Sequence, residues 1–425
     1  MFTYICKHQI NRFITLKKLL VALLFFFAVL NVSAQKAKKV VFMIVDGISS
    51  DALEKIKKPH LDSIAHVGGY VRAYVGGERK SYSQTPTISA VGYNSLLTGT
   101  WVNKHNVWGN DIKAPNYNYW TIFRFLKEQY PQKKTAIFST WLDNRTKLIG
   151  EGLPQTGKIQ TDYHFDGLEL DTLRYPHDKL SEYIHHIDEK VTNAAAASIK
   201  KDAPDLTWVY LEYTDDMGHK FGDSPQFEKA IELMDKQVGR IWQAIQYRQK
   251  HFNEDWVIYI TTDHGRDAQK GMNHGGQSDR ERATWIVTNA QNLNPYFRQY
   301  QPGIVDIMPS IASFLNILLP KEQLFEIDGV PLTGKISAIL PEARYQNGNI
   351  EIAWKAIDPK GKANIWVATT NNFETGKKDN YQLMKQVPVG AQKASINVSR
   401  LPSSFYKVVI ELPHNVLNRW VILEK

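Results

Sequence analysis

Among 425 residues there is one cysteine, Cys6, and it lies within the first 34. A chain processed behind that point has no thiol ligand, no thiol nucleophile and no disulfide, so any metal site must be built from His, Asp and Glu. Long apolar runs are lacking as well. The run LLVALLFFFAVL at residues 19–30 falls short of the ~20 residues that span a bilayer. A charge excess is lacking where it would matter. Of the net +9, four charges come from Lys7, Arg12, Lys17 and Lys18, and the tail from residue 341 holds 12 Lys/Arg against 7 Asp/Glu. The part between is near neutral, so nothing calls for nucleic acid as a partner. There is no internal repeat and no low-complexity tract.

The basic residues up to Lys18, the apolar run, and Val32-Ser33-Ala34 form the three parts of an export signal. An exported protein beginning at Gln35 is expected, periplasmic or extracellular, with no stable membrane span after cleavage near Ala34. The remainder is ordinary globular sequence, 43% hydrophobic and 22% charged.

Apolar segments at residues 40–45, 135–140, 206–213, 256–261 and 283–288 read as strands, and several are apolar on both faces. Residues 50–67 have helical spacing broken at Pro59, and residues 225–251 place Ile231, Met234, Val238, Ile241 and Ile245 at three- and four-residue steps. Helices are also expected over 122–128, 177–200 and 306–318, the last with Pro309 in its first turn. Residues 146–175 lack periodicity. Strands alternating with helices predict an α/β fold, a mostly parallel sheet sandwiched by helices. Composition changes near Leu340. Short alternating segments at 350–354, 363–368, 406–412 and 420–423 predict a small C-terminal antiparallel β-sandwich. The expected organisation is thus a leader over 1–34, a catalytic domain over 35–340 and the sandwich over 341–425. Trp354, Trp366 and Trp420 are read as sandwich core rather than sugar-stacking rings.

Three of the strands end in acids, Asp46, Asp215 and Asp263. In a parallel sheet these ends converge on one edge, where α/β folds bind ligands. His219 stands four residues after Asp215, on the same side if the segment is helical. His264 follows Asp263, and His274 precedes a glycine pair. Three carboxylates gathered on one edge repel unless a cation compensates, and three acids with three histidines suit two metals with oxygen and nitrogen ligands. Ser89 heads a short segment closing at Thr98-Gly99. It is read either as a helix cap or as a nucleophile activated by metal.

In order and spacing these residues resemble the alkaline phosphatase superfamily, and its type I phosphodiesterase/nucleotide pyrophosphatase branch in particular, over roughly residues 39–332. The resemblance rests on Asp46, the hydroxyl before Thr98-Gly99, Asp215-x-x-Gly218-His219, Asp263-His264-Gly265, His274-Gly275 and the closing run at 328–332. It implies two Zn²⁺, one held by Asp215, His219 and His274, the other by Asp46, Asp263 and His264, with Ser89 coordinated as the nucleophile. Thr85 and Thr87 are the alternative nucleophiles. The resemblance also implies a phosphate contact from Asn110, and Arg145 is a candidate for a second.

Departures bear on the substrate. Ala90 follows Ser89 where this branch has phenylalanine, which removes a base-stacking ring. Tyr210 stands where a third metal would need an acid. Asp143 and Arg145 stand where some monoesterases have a lysine and an arginine. The sulfatase motif is missing at residues 83–87. The expected activity is phosphodiester or pyrophosphate hydrolysis of a small phosphate ester through a phosphoserine. Phosphomonoester hydrolysis is the alternative, and a catalytically dead surface- or glycan-binding protein the second class.

Overall fold

The computed structural model describes residues 35–423. The expected leader and its cleavage point lie outside the described residues. No helix among them is long and apolar enough to cross a membrane.

Seven strands form the main sheet: β1 (Ala37–Val45), β2 (Gly69–Tyr74), β3 (Thr135–Ser139), β4 (Tyr163–Phe165), β5 (Leu206–Leu211), β6 (Glu254–Thr261) and β7 (Ala283–Thr288). Their order is β2-β7-β6-β1-β5-β3-β4. The run from β6 to β4 is parallel, and β7 and β2 add an antiparallel edge. This is an alkaline-phosphatase-like α/β architecture. The period-two alternation of a strand explains why β1 is apolar throughout. Val40, Phe42 and Ile44 enter one hydrophobic core, while Val41, Met43 and Val45 enter the other, on the opposite face of the sheet.

The helices follow their sequence signals. Pro59 opens the helix Pro59–Val67, separate from Ser50–Lys55. Pro225 opens Pro225–His251 behind Ser224, whose hydroxyl accepts from the Phe227 N–H. Pro309 lies in the first turn of Ile307–Phe314. Strand β2 was not foreseen. Among the described strands it pairs with β7 alone, apart from a bridge from Tyr74 to Gly303, and its sides are largely half-exposed, so it has neither a continuous apolar run nor a clean alternation.

Beyond the main sheet lie β8 (Ala338–Gln346), β9 (Asn349–Ala356), β10 (Lys362–Ala368), β11 (Gln382–Pro388), β12 (Lys393–Asn397), β13 (Phe405–Glu411) and β14 (Val416–Ile422). They form antiparallel sheets ordered β11-β10-β13-β14 and β12-β9-β8. β8 runs across residue 340, so the change of composition there falls inside a strand. One hydrophobic core runs through both parts, from Ile44 to Ile352 and Tyr406. Trp354 is buried and donates its indole N–H to the Val389 carbonyl at 2.9 Å. Trp366 donates to Glu411 at 2.8 Å. Trp420 stacks on Tyr82 of the larger part, ring centres 5.3 Å apart.

Candidate active site

The three central strands, β6, β1 and β5, deliver Asp263, Asp46 and Asp215 to one edge. Asp215 lies in the helix Tyr213–Phe221, which starts directly behind β5 and brings His219 back over it. His219 Nε2 is 3.1 Å from Asp215 Oδ2. The loop after β6 returns His274 to the same place, with Nε2 3.0 Å from His219 Nε2. His264 and His274 stack, ring centres 3.7 Å apart.

The hydrogen bonds leave the coordinating atoms free. His264 Nδ1 is 2.9 Å from the Gly265 carbonyl, and His274 Nδ1 is 2.9 Å from the Thr87 carbonyl. A carbonyl only accepts, so Nδ1 carries the proton in both rings and Nε2 is the open atom. His264 Nε2 lies 3.3 Å from Asp46 Oδ1 and 3.2 Å from Asp263 Oδ2. Both of those oxygens are buried with no hydrogen-bond partner. Buried carboxylate oxygens without donors are costly unless a cation faces them. Burial and Asp46 drive the Asp263 carboxyl well above the usual range. His264 is pushed up to about 9, because Asp263 and Asp46 outweigh a burial that opposes it.

Two sets of donors lie close enough to hold a divalent ion: Asp215, His219 and His274, and Asp46, Asp215 and His264. Asp215 stands in the second set where the resemblance implies Asp263, whose free oxygen faces the same His264 nitrogen. The donors are oxygen and nitrogen only, which fits zinc and its divalent neighbours.

Ser89 is the first residue of the helix Ser89–Thr98, and Ile88 occupies the capping position. The capping role is therefore not its own. Its hydroxyl instead lies 3.4 Å from His264 Nε2. Asn110 ties down the helix start, its Oδ1 accepting from the Ala90 N–H at 2.9 Å. That bond fixes Oδ1 as the acceptor and leaves the amide NH₂ free. The alternative hydroxyls are committed elsewhere. Thr85 donates to the Ser83 carbonyl, and Thr87 donates to the Gly276 carbonyl while accepting from the Gly275 N–H.

A cavity of about 270 Å³ adjoins these groups. It is lined by Asp46, Asp215, Ser89 and Asn110, and by Tyr93, Trp141, Tyr210 and Glu212. Arg145 is not among them. Its guanidinium is held by Asp166, at 2.6 and 2.9 Å, and by Glu151. The expected phosphate contact is thereby spent within the irregular stretch around residues 144–166, whose internal pairing no periodicity signals.

Tyr93, Trp141, Arg266 and Glu212, and the role of Tyr210, were not foreseen. Tyr93 and Tyr210 both donate to Asp46 Oδ2, the latter at 2.7 Å, which orients Oδ1 toward His264. Tyr210 thus replaces a third-metal acid with a hydrogen-bond donor. Arg266, wholly buried, holds Asp215 Oδ1 at 2.5 Å. Glu212, at the junction of β5 and the Asp215 helix, has its carboxyl raised well above the usual range by burial and then by Asp216 and Asp46. Its signal in the sequence was available, an acid at the end of an apolar strand, three residues before Asp215.

The family model described as type I phosphodiesterase/nucleotide pyrophosphatase matches residues 40–291. Among curated proteins, the chain is similar to the 2,3-bisphosphoglycerate-independent phosphoglycerate mutase of Mycoplasma mycoides subsp. mycoides, 29% identical over 138 residues, 32% of this chain and 25% of the mutase. The corresponding mutase of Mycoplasma capricolum is 28% identical over 138 residues, again 32% of this chain and 25% of the mutase. The match thus spans about a quarter of the length of these relatives. Among solved structures, Ps i-CgsB aligns with a TM-score of 0.49 at 16% identity, over 76% of this chain and 84% of that one. Murine ectonucleotide pyrophosphatase/phosphodiesterase 5 aligns with a TM-score of 0.45 at 15% identity, over 67% of this chain and 96% of that one.

Proposed function

The chain belongs to the type I phosphodiesterase/nucleotide pyrophosphatase family, phosphoric-ester hydrolases of the alkaline phosphatase superfamily, and from that premise we propose that it is an exported two-zinc phosphodiesterase working through Ser89. The observation that carries this reading is the position of the Ser89 hydroxyl. It heads a helix and points at His264 Nε2, beside two carboxylate oxygens that have no hydrogen-bond donor.

Asp46, Asp215, His219, Asp263, His264 and His274 would hold a divalent pair, which would supply Lewis-acid activation of the Ser89 hydroxyl and compensation of the phosphate's charge. The chain's own groups do the rest. Ser89 Oγ forms a bond to phosphorus as the bond to the leaving oxygen breaks, giving phosphoserine. The helix N-terminus favours the anion at Ser89. The free NH₂ of Asn110 donates to a non-bridging oxygen. Water then cleaves the phosphoserine bond and restores Ser89.

A diester is favoured over a monoester by the charge of the cavity. Its lining includes Asp46, Asp215 and Glu212 and no lysine or arginine, so a second negative charge on the substrate has no side-chain cation to meet it. The test is hydrolysis of bis-p-nitrophenyl phosphate against p-nitrophenyl phosphate, with and without chelator. A chelator-sensitive preference for the diester, lost in Ser89→Ala, is expected. A Ser89→Ala variant with full turnover overturns the nucleophile, and a monoester preference overturns the substrate class.

A further inference from the structure

Arg266 is a fixed cation set among groups that would themselves hold cations. Its guanidinium is fully buried and reaches one oxygen of one candidate ligand, Nη1 to Asp215 Oδ1 at 2.5 Å. The other oxygen, Oδ2, lies toward the histidines. It is 3.1 Å from His219 Nε2, which is itself 3.0 Å from His274 Nε2. Oδ1 lies farther off, 3.9 Å from His274 Nε2. The guanidinium is also held from behind. Nε and Nη2 donate to the carbonyls of Gly271 and Met272, at 2.6 and 3.1 Å, in the loop that carries His274. The two oxygens of Asp215 are therefore unequal, one committed to a cation of the protein and one left toward the imidazoles.

That inequality bears on which ion the set of Asp215, His219 and His274 accepts. Chelation by both oxygens of Asp215 would draw a dication toward the oxygen that the guanidinium holds, and like charges inside a protein repel strongly. Binding through Oδ2 alone avoids this. Three protein ligands, two of them imidazole, with a fourth position open, is the pattern of catalytic zinc. Larger ions such as Mn²⁺ and Ca²⁺ prefer oxygen and take six or more ligands, so they lose most when the second carboxylate oxygen is denied. Selectivity among divalent ions comes from geometry and ligand type more than from raw affinity.

We propose that Arg266 is a positioning residue of this centre: by occupying Oδ1 it makes Asp215 a one-oxygen ligand, and so selects zinc over larger divalent ions that need more oxygen. This rests on the metal-dependent reading of the site.

The test uses the full chain with Asp46→Asn, which weakens the second donor set, so that Asp215, His219 and His274 titrate first. Zn²⁺ and Mn²⁺ affinities of the stripped protein are measured by competition with a chromophoric chelator. Adding Arg266→Gln should lower the preference for zinc over manganese by about tenfold or more, the scale on which groups behind metal ligands act. Arg266→Lys keeps a cation for Oδ1 and should hold the preference within about threefold of its starting value. A preference unchanged in Arg266→Gln, or lowered equally in Arg266→Lys, overturns the proposal. Should Arg266→Gln fail to fold, the Co²⁺-loaded protein decides. The strong visible absorption of a four-coordinate ion is expected, and the weak spectrum of a six-coordinate ion overturns the one-oxygen ligand. Hydrolysis of bis-p-nitrophenyl phosphate by the unsubstituted enzyme is followed alongside. Zinc preference that depends on Arg266 without any cleavage leaves the proposal standing and removes the hydrolase reading. Cleavage with a preference indifferent to Arg266→Gln does the reverse, and an unsubstituted chain that binds neither ion overturns both.

Discussion

Nη1 of Arg266 lies 2.5 Å from Oδ1 of Asp215, with the guanidinium wholly enclosed by protein. Three carbonyls, of Gly47, Gly271 and Met272, accept from three of its four other N–H groups. The chain makes room for it with glycine. A Cβ on Gly218 would stand 2.3 Å from Arg266 Cζ, and one on Gly47, at φ +69°, would stand 2.6 Å from Nη1. Removing one partner of a buried pair leaves the other uncompensated, at a cost of about 3–5 kcal/mol. Arg266→Ala should therefore lower the urea unfolding free energy by about that amount, and Gly218→Ala should destabilise by displacing the same group. Arg266→Lys should recover part of it, since an ammonium can reach Asp215 but cannot fork to the three carbonyls.

Metal content is the second expectation. The two donor sets and the two donorless oxygens on Asp46 and Asp263 should give near two divalent ions per chain by elemental analysis. His274→Ala should remove about one of them, with a loss in kcat/KM of ~100-fold or more, the scale on which ligand shells affect activity. Chelation should also lower the thermal midpoint, because ions that bind only the folded chain stabilise it by mass action. A midpoint unmoved by chelator, together with metal-free purified protein, would sink the metal assignment.

The gathering of the candidate donors was legible because each depends on a local rule. Asp46 and Asp263 follow apolar strands closely, Asp215 lies in the first turn of the helix behind another, and parallel strands present their ends together. His219 follows Asp215 by one helical turn. What was not legible depends on pairing across the chain. Arg266 follows His264 by two residues, yet its partner is Asp215, 51 residues away. Tyr93 reaches Asp46 across 47 residues. Arg145 looked available because its partners, Asp166 and Glu151, lie in a stretch without periodicity. Strand β2 escaped because an edge strand with half-exposed sides has no hydrophobic period to read.

The C-terminal sheets carry the third expectation. They read as a separable unit in the sequence, but two buried lysines cross the boundary. Lys104 donates to Asp328, to the Glu326 carbonyl and to Asn418 of β14. Lys407 of β13 pairs with Glu326 at 2.6 Å and Asp379 at 2.9 Å. Ending the chain at residue 340 would cut β8, take Asn418 from Lys104 and both Lys407 and Tyr381 from the Glu326 carboxylate, and uncover one side of the shared core. Such a truncation should be insoluble or molten by circular dichroism and proteolysis, not an active smaller enzyme. A soluble, fully active truncation would show the sheets to be dispensable. As a milder probe, Lys407→Met should destabilise by about 3–5 kcal/mol, since Glu326 and Asp379 both lose their cation inside the protein.

His105 supplies a pH dependence with a definite sign. Its ring is fully enclosed, and its neutral form is satisfied on both nitrogens. The Val107 N–H donates to Nδ1 at 3.1 Å, and Nε2 lies 3.0 Å from the Ser95 hydroxyl, which itself donates to the Val91 carbonyl. Protonation would place a second N–H against a backbone N–H, so burial holds the ring down at about 3, from an ordinary 6.5. Between those values the unfolded chain binds a proton that the folded chain does not. The stabilisation is complete above pH 6.5 and is lost as pH falls through 6.5 toward 3, at about 1.4 kcal/mol per pH unit. Asp306 acts in the opposite sense. Burial raises its carboxyl to about 7, so its contribution is lost as pH rises through the window from 3.8 to 7. The total slope therefore mixes both, and the informative quantity is a difference. His105→Asn keeps an acceptor for Val107 and a donor for Ser95 but does not titrate. Urea unfolding of the parent and of His105→Asn at pH 6.5 and 5.0 should show the parent losing about 1–2 kcal/mol more than the variant over that interval. Equal losses would mean that His105 is protonated inside the fold, with Val107 and Ser95 rearranged around it.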